Sequence, residues 1–203
     1  MKRFFIIAAA LLCGVAAQAQ NLYIEAGYAN VGYKMATKTE IIKANVNQAT
    51  NGFYFGAGYE HEFSQVFALE AGLQFLYAGK KESISIIQDI DVNSKWSEMD
   101  LLVPIHAKVY VPFGSSVRGF VFAGPTLNCG LLNQIKTESI AQDLYEEFNR
   151  FQLYLGGGIG FDINKTFAVK ASYNYGVLNI MKELTEYAKV NNSLIEAGIV
   201  FKF

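Results

Sequence analysis

Cysteine is nearly missing from this chain of 203 residues: Cys13 and Cys129 are the only two. Cys13 falls in an apolar leader, which leaves one thiol, too few for an internal disulfide or a cysteine-based metal cluster. Histidine is equally scarce. His61 and His106 stand alone, and two isolated histidines give no metal-ligand spacing. Strong charge of either sign is also absent, since the formal net charge is −1. That balance argues against nucleic acid as a partner. Beyond the leader no apolar run approaches 18 residues, which excludes a membrane-spanning helix.

Apolar content is nevertheless high, at 52% hydrophobic residues with 16 Phe and 12 Tyr. It begins in the leader. Met1-Lys2-Arg3 is basic, Phe4 to Ala17 is apolar, and Ala17-Gln18-Ala19 is a small-residue cleavage site. This is the pattern of a secretory signal peptide over residues 1–19, cut after Ala19, with one domain over 20–203. Leu12 stands where a lipoprotein would need a small residue before Cys13. Removing Lys2 and Arg3 leaves 15 basic against 18 acidic residues, a mature charge of −3.

The rest of the apolar content lies in short alternating segments. The last, Asn191 to Phe203, sets Ile195, Ala197, Ile199, Phe201 and Phe203 against Glu196, Gly198, Val200 and Lys202. A strand sends successive side chains to opposite faces, so one face is apolar and the other small or polar. Similar segments run over about 22–33, 52–63, 66–79, 99–111, 117–129, 151–163 and 166–178, giving eight strands. The segment from Val117 to Cys129 resists phasing. Its Phe120 and Phe122 suit the apolar face, yet they carry Arg118 with them. An Arg near the bilayer surface costs only about 0–1 kcal/mol, so its charge does not decide the phase.

Connections alternate long and short. Ser64-Gln65, Pro112 to Ser116 and Asn164-Lys165 are turns. Lys34–Thr50, Lys80–Glu98, Leu131–Asn149 and Asn179–Asn192 are long. Ile84, Ile86 and Ile87 predict strands that continue past the bilayer. Ile140, Leu144 and Phe148 recur at helical spacing and predict a short amphipathic helix. Even strand number, short turns on one side and long loops on the other match an antiparallel up-and-down transmembrane β-barrel of the outer membrane, with lipid as its surroundings. Closure of the first strand on the last would leave no edge in lipid.

A soluble lipocalin-like ligand-binding barrel has the same alternation with the faces exchanged. Bulk separates the two. Eight strands enclose an interior just wide enough for side chains. The face carrying Phe53, Phe55, Phe67, Phe75, Phe161, Phe167, Phe201 and Phe203 is too large for it. Tyr28, Tyr59, Tyr77, Phe63 and Phe203 lie near segment ends, as an aromatic girdle does.

The inward face carries Glu25, Glu60, Glu70, Lys108, Lys170, Glu196 and Lys202, an expected interior polar network. It reads as a charge plug that fixes register, or as a small gated pore. Buried charges require partners. His106 beside Lys108 offers acid–base chemistry for an outer-membrane enzyme. However, no nucleophile motif surrounds Ser172, so no catalytic residue is assigned. Gly156-Gly-Gly-Ile-Gly lies within a strand and reads as relief of crowding rather than a phosphate loop. No cofactor and no metal are expected. His61 reads as an interface residue and Cys129 as a small filler. The long loops are the expected contact surface for a protein partner, with the 80–98 hairpin adding a strand from it.

Met99-Asp-Leu-Leu-Val-Pro-Ile-His-Ala-Lys, Phe122-Ala-Gly-Pro-Thr, Gly156-Gly-Gly-Ile-Gly-Phe and Gly198-Ile-Val-Phe-Lys-Phe203 resemble, in order and spacing, the PorT-like outer-membrane β-barrels common in Bacteroidetes. The resemblance covers the mature chain. It implies an eight-stranded barrel and an outer-membrane location. It also implies passage by periplasmic chaperones to the barrel-assembly machinery, with Phe203 as the assembly signal. It implies no uniform activity.

Overall fold

The computed structural model describes residues 21–37, 47–87, 90–114, 116–137, 140–143, 149–178 and 188–203. Residues 1–19, expected to be a signal peptide, lie outside the described residues. The elements are β1 (Leu22–Thr37), β2 (Asn47–Glu62), β3 (Phe67–Ile87), β4 (Ile90–Pro112), β5 (Val117–Thr137), β6 (Ile140–Asp143), β7 (Phe151–Ile163), β8 (Phe167–Gly176) and β9 (Ala188–Lys202). All neighbours pair antiparallel. The order β4-β3-β2-β1-β9-β8-β7-β5 closes through β4–β5, leaving the four-residue β6 as an appendage on β5. The result is a closed eight-stranded barrel with β1 sealed to β9 from Tyr23↔Lys202 to Thr37↔Ala188.

Alternation sorts the two faces. Phe53, Phe55, Phe67, Leu155, Ile159, Phe161, Phe167 and Ile199 are exposed on the outside, Ile199 by 63%. Tyr23, Tyr54, Tyr110 and Tyr154 are buried in the lumen. The hydrophobic core of this molecule is therefore the barrel interior, in two clusters. The one toward the long connections holds Tyr54, Leu76, Leu102, Tyr154 and Leu194. The one toward the turns holds Tyr23, Tyr110, Phe120, Phe122 and Val200.

The fifth segment takes the phase that its aromatics argue against. Phe120 and Phe122 point inward at 3% and 4% exposure, while Val121 and Leu127 face out. The neighbouring strand makes room. Phe120 pairs with Gly160 and Phe122 with Gly158. A Cβ at Gly158 would come within 2.6 Å of Phe122 Cζ, and one at Gly160 within 2.7 Å of Phe120 Cε2. Tyr23 likewise lies over Gly58 and Gly72, and Tyr54 over Gly27 and Gly198. Rings from one strand occupy space that glycines leave on nearby strands, which is how the narrow lumen accommodates these four aromatics.

The strands run further on the long-connection side than the alternation indicates. β3 and β4 pair as far as Ile87↔Ile90, in keeping with the isoleucines. On β5 the register shifts from Met99↔Leu132 to Asp100↔Gly130. This bulge at Leu131 reverses the inward parity, so Asn128 and Asn133 are both buried. A bulge inserts one unpaired residue, and the alternation breaks there without the strand ending. Ile140–Asp143 does not form the start of a helix. It pairs with Gln134–Thr137, because the extended β5 offers an open ladder. Leu144 and Phe148 lie outside the described residues.

The short turns close the other end. Asn164 and Lys165 both have positive φ, 52° and 58°, the mark of a type I′ hairpin turn. On the lipid face His61 stacks on Tyr59 (6.4 Å) and meets Phe63 edge-on (4.5 Å), within the aromatic band at that rim. Cys129 is half-buried.

Candidate functional site: a charge chain in the lumen

Inward parity brings charged side chains from all eight long strands into the turn-side half of the lumen. Lys170 on β8 meets Glu25 on β1 at 2.6 Å and Glu70 on β3 at 3.9 Å. Lys108 on β4 contacts Glu70 and lies 2.6 Å from Glu60 on β2. Lys202 on β9 bridges Glu60 at 2.9 Å and Asp162 on β7 at 3.0 Å. Arg118 on β5 then joins Asp162 and Glu62, each at 2.8 Å. The path Glu25–Lys170–Glu70–Lys108–Glu60–Lys202–Asp162–Arg118–Glu62 alternates sign at every step.

Neutral groups complete it. Gln74 donates to Glu25 at 2.9 Å and Tyr110 donates to Glu60 at 2.6 Å. His106 sits between Glu70 at 3.0 Å and Thr126 at 3.3 Å. Rings insulate the cations: Lys108 Nζ lies 4.8 Å from the Phe120 centroid, and the Arg118 guanidinium lies 4.1 Å from Tyr110. Burial strengthens each attraction but makes removal from water costly, so a chain of this kind persists only when every charge has a partner.

Six of the seven expected residues, Glu25, Glu60, Glu70, Lys108, Lys170 and Lys202, therefore lie in one chain. Glu196 stands apart. Ser172 and Asn174 donate to it, each at 3.1 Å, in place of a cation. Arg118, Glu62 and Asp162 complete the chain. The last two shared the inward parity of their segments, whereas Arg118 was hidden by the unphased fifth strand. Ser172 is taken up by Glu196, so His106 and Ser172 have different partners.

Above this chain the lumen carries further polar side chains. Tyr33 donates to Glu98 at 2.6 Å, Asn128 donates to Asp100 at 3.0 Å, and Trp96 Nε1 donates to Asn133 at 2.6 Å. Asn192 donates to Gln152 and Tyr154. At the turn-side mouth a vestibule of about 450 Å³ opens beside Glu62, Arg118, Asp162 and Lys165. Among the described residues no group of three metal-ligating side chains converges.

The profile of the outer membrane protein beta-barrel domain matches residues 5–203. No curated protein matches the sequence. Among solved structures, Neisserial surface protein A superposes with a TM-score of 0.51 at 14% identity, covering 90% of this chain and 97% of that one. OprG from Pseudomonas aeruginosa gives 0.47 at 15%, covering 91% and 96%. Ail, the attachment invasion locus protein of Yersinia pestis, gives 0.46 at 16%, covering 89% and 98%. A lipid-facing aromatic wall, a charge-filled lumen and a profile match over almost the whole chain agree: the chain belongs to the outer membrane protein beta-barrel domain family, and its place is the outer membrane.

Proposed function

We propose that this barrel is a structural and surface-contact protein of the outer membrane. Its lumen is a plug rather than a path, and its contacts are made by the strands that rise beyond the bilayer. The observation that carries the reading is the outer hairpin. β3 and β4 stay paired to Ile87↔Ile90, whereas among the described residues the β2–β3 ladder runs only to Asn51↔Gly79. Backbone groups of 80–87 on that side are a ready template for strand addition by a partner protein.

Catalysis has less support: His106 is enclosed by Glu70, Thr126 and the Phe122 ring. A conducting pore has less support because the large inward rings and the charge chain occupy the lumen. The order of the Pro104, Pro125 and glycine motifs supports the finer placement among PorT-like barrels of Bacteroidetes. In that reading residues 1–19 are removed after Ala19. Periplasmic chaperones then deliver the chain to the assembly machinery, which reads Phe203. The Phe203 ring is exposed beside Phe201 at 5.1 Å.

The test is deletion of 83–92, with the hairpin rejoined by Asn-Gly. At equal surface display, cells carrying the shortened chain should adhere severalfold less to immobilised surface protein than cells carrying the full chain. Unchanged adherence removes strand addition. Turnover of lipid or peptide lost on His106→Ala would assign catalysis instead.

A further inference from the structure

The vestibule of about 450 Å³ at the turn-side mouth is walled by all three short turns. Gln65 and Val66 line it from the first, Pro112 and Ser116 from the second, and Asn164 and Lys165 from the third. Backbone bonds fix these walls before any ligand arrives. The Tyr110 N–H donates to the Val66 carbonyl at 2.7 Å, and the Asn164 N–H donates to the Ser116 carbonyl at 2.8 Å. Small-molecule pockets span about 300–1,000 Å³, so the volume suits one. Short turns lie on the periplasmic side of an outer-membrane barrel, and the vestibule opens there.

Its charged groups are only partly used. The lumen chain ends here on Glu62, whose side chain is 36% exposed, whereas that of Asp162 is fully buried. Glu62 Oε1 accepts from Arg118 at 2.8 Å, which leaves Oε2. Arg118 reaches both of its acids through Nη2, which leaves the N–H groups of Nη1. Lys165 is exposed, and none of the rim's ion pairs among the described residues includes it. Asp162 is taken by Arg118 and Lys202. A carboxylate oxygen, a guanidinium edge and an ammonium thus share one pocket with apolar Val66 and Pro112.

We infer that this vestibule binds the zwitterionic head of an aliphatic α-amino acid, its carboxylate on Arg118 and Lys165 and its ammonium on Glu62. Sign, spacing and lining each point there. Two acids and two bases line the pocket, so a ligand of zero net charge leaves it balanced. Arg118 and Glu62 are in contact at 2.8 Å. The ligand's opposite charges must therefore also lie close together, as they do on a single α-carbon. A guanidinium fork matches a carboxylate in shape as well as charge. Val66 and Pro112 give the aliphatic side chain a surface. The head belongs either to a free amino acid or to a peptide of the cell wall, since both lie on this side of the membrane.

The test uses the folded full-length mature barrel in detergent. Saturation-transfer NMR near neutral pH follows leucine, N-acetylleucine and leucine methyl ester. The wild type should bind leucine, and each blocked form, having lost one charge, should bind at least about tenfold more weakly. Glu62→Gln and Lys165→Gln should each weaken leucine by about tenfold, and Lys165→Arg should restore it. Lys95→Gln, at the opposite rim, should change nothing. Pelleting with purified cell-wall sacculi separates the two sources. Co-sedimentation that Glu62→Gln abolishes assigns the wall peptide, and leucine binding without co-sedimentation assigns the free amino acid. A wild type that binds neither leucine nor sacculi would overturn the site. Equal binding of N-acetylleucine, or Gln variants that bind as the wild type does, would do the same. Heat-modifiable mobility of each variant confirms that the barrel is folded in every arm.

Discussion

Lys108 is the residue on which the lumen chain turns, since its ammonium joins Glu60 and Glu70 from two different strands. Its side chain is 2% exposed. Removing it leaves two buried carboxylates facing each other with one cation fewer between them. Breaking a buried pair by deleting one partner costs about 3–5 kcal/mol. Lys108→Met should therefore destabilise the barrel by about that amount, read from urea unfolding in lipid vesicles through the single tryptophan, Trp96. Adding Glu70→Gln should return part of the loss, because it removes one of the stranded charges. A loss below about 1 kcal/mol for Lys108→Met would mean that the neighbouring cations already satisfy both acids. The residue scale also shows where reading a sequence reaches its limit. Lys108, Glu70 and Lys170 were assignable to the interior because their strands alternate cleanly. Arg118 was not, because Phe120 and Phe122 share its parity and a ring suits lipid as well as it suits a lumen lined by glycine. Only the register that sets those rings on Gly158 and Gly160 decides between them.

At the scale of elements, β4 has a defect on each side. Its ladder with β3 omits Gly72↔Pro104 and Leu73↔Val103, and its ladder with β5 omits Ile105↔Pro125 and His106↔Gly124. Proline has no N–H to give, and it is seldom found in central strands for that reason. Here two prolines fall at nearly one level in adjacent strands. Amides of Gly72 and Ile105, which stand opposite Pro104 and Pro125, should therefore exchange with deuterium faster than those of the β1–β9 seam, whose pairing is continuous from Tyr23 to Thr37. Uniform protection around the barrel would show that other bonds replace the missing ones. The existence and order of the eight long strands were legible in the sequence because polarity alternates with period two wherever a wall separates lipid from a packed interior. Their outer ends were not. Past the bilayer both faces of a strand meet water, so the alternation fades while the hydrogen bonds continue. The helical spacing of Ile140, Leu144 and Phe148 was overridden at its start by the open ladder of β5, an edge that spacing alone cannot reveal.

For the whole molecule, the inward packing decides what the barrel transmits. The lumen holds the charge chain across its turn-side half and Tyr54, Tyr154, Leu76, Leu102 and Leu194 further out. Reconstituted into planar bilayers, the protein should show no steady conductance steps in salt. Reproducible unitary steps would show that the plug moves aside. The same packing bears on how the barrel comes into being. Each of the eight long strands contributes a link to one sequence of opposite charges, and Lys202, on the β9 strand that seals the barrel against β1, ties Glu60 on β2 to Asp162 on β7. Until that seam closes, carboxylates near it lack their counter-ion. A one-residue slip of any strand would swing its charge outward into hydrocarbon. Halfway-built intermediates are thus penalised by lone ions, and the cylinder acts as its own proofreader: only the correctly threaded, fully sealed form pairs every link of that sequence.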